Sequence, residues 1–133
     1  MTDDEMMEFI LNFRRAYAKA DPELLRKVLS EDFEWHMHHG DGDDARPSGR
    51  ILLGVDGMVE EIRRRQENWK NVEFSEFIER PAGDRILQMF TISGIDENGE
   101  KFHADAVDVY PIRDGKITRK DTYWKQFSKR HQA

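Results

Sequence analysis

Two groups of residues in this 133-residue chain have the chemistry for moving protons. The first is Asp108, set in the run Phe102-His103-Ala104-Asp105-Ala106-Val107-Asp108-Val109-Tyr110. Side chains alternate along a strand, so Phe102, Ala104, Ala106, Asp108 and Tyr110 share one face. The second is His36-Met37-His38-His39. A histidine titrates near neutrality and takes a proton from a carbon acid without much tuning. Parity sets His39 with Trp35 and Met37, and turns His36 and His38 to the other face. It is weakest where a strand enters a loop, which leaves His38 as the substitute. The competing reading pairs a half-exposed Asp108 with a cross-strand Lys or Arg, and leaves the histidines idle on an exposed strand end.

His36 and His38 also form a His-x-His pair able to give two imidazoles to a metal. His103 and Asp105 make a similar pair on the face opposite Asp108, and one site from both pairs requires neighbouring strands. With no cysteine and no helical His-Glu-x-x-His signature, these residues read as a dimer interface or a wet outer surface. No metal and no cofactor is expected. Asp41-Gly42-Asp43-Asp44 fails as a calcium loop, because Leu52 stands where a bidentate Glu belongs and Arg46 where Gly belongs. Arg63-Arg64-Arg65, balanced by Glu60, Glu61 and Glu67, reads as a solvated helix face and not as a phosphate clamp.

The balance of 21 Lys+Arg against 27 Asp+Glu, a net charge of −6, argues against nucleic acid, which needs a concentrated basic surface. The absence of cysteine excludes disulfides, thiolate metal sites and cysteine nucleophiles. No apolar run approaches the roughly 18 to 20 residues that span a bilayer, and the acidic Met1-Thr2-Asp3-Asp4-Glu5 is unlike a secretory signal. A cytoplasmic location is expected. Eight Phe, three Trp, three Tyr and six Met in so polar a chain suggest aromatic walls around a core and a pocket.

The elements that must position these groups are legible. Thr2 with Glu5 is a capping box, after which Phe9, Phe13, Ala16, Tyr17 and Ala20 make one apolar stripe. Asp21-Pro22 restarts a shorter helix with Leu24, Leu25, Val28 and Leu29 inward. Phe33 to His38 alternates like a strand, Gly40 to Gly49 is a loop containing Pro47, and a third helix starts near Asp56 with Met58, Ile62 and Trp69 buried. Four strands follow, Val72 to Arg80, Ile86 to Ile95, Lys101 to Ile112 and Ile117 to Phe127, joined by good turn residues. This order predicts a single domain over residues 1–133, of α+β class with an antiparallel sheet.

That order, together with Ala20-Asp21-Pro22-Glu23-Leu24-Leu25, Ser30-Glu31-Asp32-Phe33, Val107-Asp108-Val109-Tyr110, Asp114-Gly115-Lys116-Ile117 and Tyr123-Trp124, resembles the nuclear transport factor 2-like superfamily. The resemblance is to its SnoaL-like and ketosteroid-isomerase-like branch and covers nearly the whole chain. It implies a curved antiparallel sheet wrapped round three N-terminal helices, a cone with a central pocket. It also implies a homodimer through the convex face carrying His103, Asp105, Val107 and Val109. In ketosteroid isomerases an Asp at the place of Asp108 donates a hydrogen bond to the enolate oxygen. On the concave face Asp108 would be poorly solvated, and a neutral carboxyl can do that. The chain departs from that pattern twice: Phe13 stands where the family has its Tyr donor, with Tyr17 one turn later as the substitute, and Met37 stands near the family's Asp base. Asp121 lies close to the acid of limonene-type epoxide hydrolases and SnoaL-type cyclases, but alternation turns Thr122 and Trp124 inward and Asp121 away.

The expected cavity is lined by Phe13, Tyr17, Trp35, Met37, Met58, Ile62, Met89, Thr91, Tyr110, Thr122 and Trp124, with Asp108 and His39 as its polar poles. Such a lining suits a small hydrophobic molecule. One reading is cofactor-free proton transfer on a hydrophobic ketone or polyketide, an isomerisation or aldol-type cyclisation. The other is a non-catalytic dimer that binds a hydrophobic ligand. Fold alone does not separate them.

Overall fold

Helix α1 (Asp3–Lys19) starts on the expected box: the Thr2 hydroxyl accepts from the Glu5 amide and the Glu5 carboxylate accepts from the Thr2 amide. It buries Met6, Ile10, Phe13 and Ala16 and stops at Ala20, which takes a left-handed conformation with φ 49°. The Asp21 carboxylate caps α2 (Pro22–Val28) through the amides of Glu23 and Leu24. The computed structural model describes residues 1–38 and 50–126.

The chain passes from α2 straight into strand β1 (Leu29–Met37), so Leu29 opens a strand instead of closing a helix. A short strand, β2 (Arg50–Leu53), follows, and α3 (Gly54–Asn68) begins two residues before Asp56. Trp69 is the C-cap of α3 and stands beyond its buried face. Strands β3 (Lys70–Ala82), β4 (Arg85–Ile95), β5 (Lys101–Arg113) and β6 (Lys116–Gln126) complete the fold.

The six strands form one curved sheet in the order β2-β1-β6-β5-β4-β3, with the helices against one face. The α+β class holds, with one amendment: β1 runs parallel to β6, so the sheet is mixed where an antiparallel one is expected. Parallel neighbours need a long crossover, and everything between β1 and β6 supplies it.

Two apolar clusters fill the concave side. One joins the helices to β1 through Phe13, Leu25, Phe33, Trp35, Met58 and Ile62. The other, Phe90, Ile92, Phe102, Ala104 and Ala106, lies farther along the sheet with Trp69 and Trp124 against it. No described helix is long and apolar enough to cross a membrane.

Candidate functional site

Residues of both clusters line a cavity of about 620 Å³. Its polar wall is set by strand register. Asp108 lies opposite Gln88 on β4 and opposite Thr122 on β6, so all three point inward, and Lys120 shares the face of Thr122. Asp108 is 1% exposed and Lys120 6%. The Lys120 ammonium donates to Asp108 Oδ2 at 2.8 Å and to the Tyr110 hydroxyl oxygen at 2.8 Å. The Thr122 hydroxyl donates to Asp108 Oδ1 at 2.6 Å and accepts from Trp35 Nε1 at 2.9 Å.

The string continues past Tyr110. Its single hydroxyl proton has two acceptors in reach, Gln88 Oε1 at 2.9 Å and Asp108 Oδ2 at 3.3 Å, and the shorter bond is to Gln88. Gln88 Nε2 donates to Glu79 Oε2, which also meets Arg14 Nε at 3.0 Å. The links as far as Glu79 are hydrogen bonds that buried polar groups require, whereas Arg14 Nε meets Glu79 as an ion pair and makes no hydrogen bond. Burial pushes the Tyr110 hydroxyl well above its ordinary range, and the Asp108 charge adds to this. Burial also pulls the Lys120 ammonium below its ordinary range, against the opposing pull of Asp108. The rings of Tyr17, Trp35 and Tyr110 stand 5.0 to 5.4 Å from Lys120 Nζ, an arrangement that favours a cation.

A second cation enters from α3. Arg65 lies 4.9 Å from the Trp35 ring and 4.7 Å from the Trp69 ring, and donates to Glu61 Oε2 at 2.8 Å. Glu61 is 3% exposed and is also bound by Arg64. Burial alone would raise its pKa, but the hydrogen bonds and charges of Arg64 and Arg65 outweigh that and bring it to about 2. Arg65 therefore lines the cavity with the buried Glu61 behind it, where the charge pattern suggests a solvated face.

Of the residues expected in the site, Phe13, Tyr17, Trp35, Ile62, Asp108, Tyr110, Thr122 and Trp124 line the cavity. Met37 and Met58 are buried in the helix–sheet core without lining it. Met89 and Thr91 are on the outer face. Met89 pairs with Val107 and is 40% exposed, and Thr91 donates to Asp105. The expected parity of β4 is one residue out, because Asp108 opposite Gln88 turns Gln88, Phe90 and Ile92 inward. His39 and the Asp41–Asp44 run lie outside the described residues.

Asp121 faces away from the cavity, as alternation requires, and binds His38 and Arg119. His103 and Asp105 are on β5, which β6 separates from β1, so they cannot complete a site with His36 and His38. Sequence reasoning passed over Gln88, Glu79 and Arg14, and set Arg65 on a solvated helix face. It allowed Asp108 a cross-strand Lys or Arg without naming Lys120, which is that partner, although Asp108 is buried and not half-exposed. For Lys120 the signal was present: it shares the parity of Thr122, and a buried Asp on the next strand needs a cation.

The surrounding proteins agree with this architecture. An NTF2-like protein from Burkholderia xenovorans superposes with a TM-score of 0.80 at 20% identity, over 94% of this chain and 92% of that one. A protein from Xanthomonas campestris, described as a candidate polyketide cyclase, gives 0.67 at 16% identity over 92% of each chain. One from Bacillus subtilis, described as a candidate isomerase, gives 0.66 at 17% identity over 92% and 87%. At such identities these likenesses establish the fold. No curated protein matches the chain. A sequence profile for the SnoaL-like domain matches residues 10–120, and with that span the chain belongs to the SnoaL-like domain family.

Proposed function

We propose that the cavity takes a hydrophobic ketone or polyketide and that Asp108 and Lys120 move a proton beside its carbonyl without a cofactor. The observation that carries this is the ion pair buried in the wall of a largely apolar cavity. The donors around Asp108 make it an acceptor, so its part is to take the proton from the carbon next to the carbonyl. This reverses the donor role that the resemblance implies for it. Lys120 has three N–H bonds and spends two on Asp108 and Tyr110. The third holds the enolate oxygen as negative charge develops there. Asp108 then returns the proton to a different carbon, giving an isomer, or the enolate carbon attacks a second carbonyl of the ligand, whose oxygen takes the proton back from Asp108, giving a hydroxylated ring. The alternative is a binder without turnover, favoured by the fact that Asp108, Thr122, Tyr110, Gln88 and Trp35 already bond one another in the resting network.

The test is deuterium exchange beside the carbonyl of a panel of aromatic ketones in D₂O, followed by NMR, with ligand binding followed by quenching of tryptophan fluorescence. A catalyst loses about 10²-fold or more in exchange rate on Asp108→Asn while still binding. A binder shows saturable quenching and no exchange above the buffer rate, and that result removes the catalytic reading.

The same proposal includes a homodimer through the outer face of the sheet. It is supported by Ile78, Met89 and Val107, which lie side by side on three strands and are exposed. Sedimentation equilibrium separates a mass near the 15.7 kDa chain from twice that.

A further inference from the structure

We propose that His36, His38 and Asp121 form a binding site for a divalent cation of the zinc class, on the outer side of the β1–β6 seam. The site follows from the parallel pairing of these strands. His36 and His38 lie two residues apart on the outer face of β1, and the register places Asp121 of β6 directly beside His36. One ligand atom from each of the three residues lies within 4.8 Å of the other two. Two imidazoles and one carboxylate are a donor set for zinc, cobalt, nickel or iron, and a third protein ligand leaves one position for water.

The groups are held for the task. The His38 side chain is 16% exposed, that of His36 14% and that of Asp121 7%, so the donors are sheltered yet reachable. The Tyr123 ring stacks on His38 at 4.3 Å and 9°, fixing the plane of the imidazole. Arg119 Nε binds Asp121 Oδ2, which orients the carboxylate so that Oδ1 meets His38 Nε2 at 2.8 Å. Glu34 Oε1 stands 2.8 Å from His36 Nε2 and supplies a second carboxylate at the edge. Tetrahedral zinc with bonds of about 2.0 to 2.1 Å holds its ligands about 3.3 Å apart. The cation therefore opens the His38–Asp121 contact slightly and draws His36 in by side-chain rotation. Two carboxylates offset its double charge, and the opposing Arg119 is 42% exposed, where solvent screens it.

Binding here does not depend on the cavity chemistry, since His36 and Asp121 face away from the cavity that Trp35 and Thr122 line. It would tie β1 to β6 behind those residues. The test is zinc uptake by the full chain after chelator treatment, measured by isothermal titration, with cobalt absorbance as a report of coordination. The expected result is one zinc per chain, a visible tetrahedral cobalt spectrum, and a higher unfolding temperature with zinc. His36→Gln and Asp121→Asn each weaken binding at least about tenfold, whereas His103→Gln, on β5, leaves it unchanged. If Asp121→Asn does not fold by circular dichroism, His36→Gln decides alone. Non-saturable uptake, or binding that survives His36→Gln, overturns the site.

Discussion

Replacing Lys120 by Met keeps the length of the side chain and removes its charge, and the consequence is carried by Asp108. That carboxylate is 1% exposed. After the change it retains the Thr122 hydroxyl and the distant Tyr110 hydroxyl, and no counter-charge within hydrogen-bond reach among the described residues. Removing one partner of a buried ion pair costs about 3 to 5 kcal/mol, because the remaining charge stays desolvated. For a domain of this size, with an unfolding entropy of about 2.1 cal/mol/K per residue, each kcal/mol lowers Tm by about 3 to 4 °C. The expected loss is therefore about 10 to 18 °C, a large share of the total stability of about 5 to 15 kcal/mol. The assay is urea unfolding at pH 7 of the wild type, Lys120→Met, Asp108→Leu and the double variant. The double variant should fall short of the summed losses by about 2 kcal/mol or more, since it leaves no orphaned charge. A Lys120→Met loss below about 1 kcal/mol, or additivity within about 0.5 kcal/mol, refutes the reasoning, because the pair would then be solvated in solution.

Glu61 has a folded pKa of about 2 against an ordinary value of 4.5, so its contribution is present above pH 4.5 and is lost as pH falls through 2. Allowing for solvent around Arg64 and Arg50, that contribution is about 2 kcal/mol. The stability difference between wild type and Glu61→Gln, from denaturant melts, should narrow between pH 5 and pH 2; a difference independent of pH rejects the assignment. Tyr110→Phe removes the hydroxyl joining Lys120 to Gln88 and should cost about 1 to 3 kcal/mol, since Gln88 Oε1 loses its donor in a buried place. Gln88→Leu on that background should then cost less than it does alone in the same melts, the remainder being the bond to Glu79.

How far the sequence carried these conclusions depended on whether a feature was local. The starts of α1 and α2 were legible because Thr2, Glu5 and Asp21 act on amides two or three residues away and Pro22 presets the backbone of the first turn. Strand β2 was not: Arg50–Leu53 is four residues with no alternation, and its reason to extend is β1 beside it. The parallel pairing of β1 with β6 joins residues more than eighty positions apart, as Trp35 and Thr122 show, and nothing within β1 announces it. Parity read well on β5 and β6, where Asp108 and Thr122 anchor it, and slipped on β4. There Met89 and Thr91 looked as apolar or small as Gln88 and Phe90. The Glu61 pair illustrates the limit of charge patterns, since the same i to i+4 spacing serves a wet helix face and a buried carboxylate beside a cavity.

On the proposed reading, the Asp108–Lys120 pair also makes stability and proton transfer separable. Two well-packed apolar side chains in the same volume are often as stable as a buried ion pair, or more so. Stability therefore gives no reason to place an ion pair at this point in a largely apolar wall. The double variant Lys120→Met/Asp108→Leu distinguishes the two roles: it should unfold within about 2 kcal/mol of the wild type and yet show no deuterium exchange beside a bound carbonyl. If it folds and exchange persists at the wild-type rate, the proton is moved by other groups, and the pair is a relic of packing. Loss of exchange with folding and ligand quenching intact leaves proton transfer as the reason that two charges stand in so dry a place.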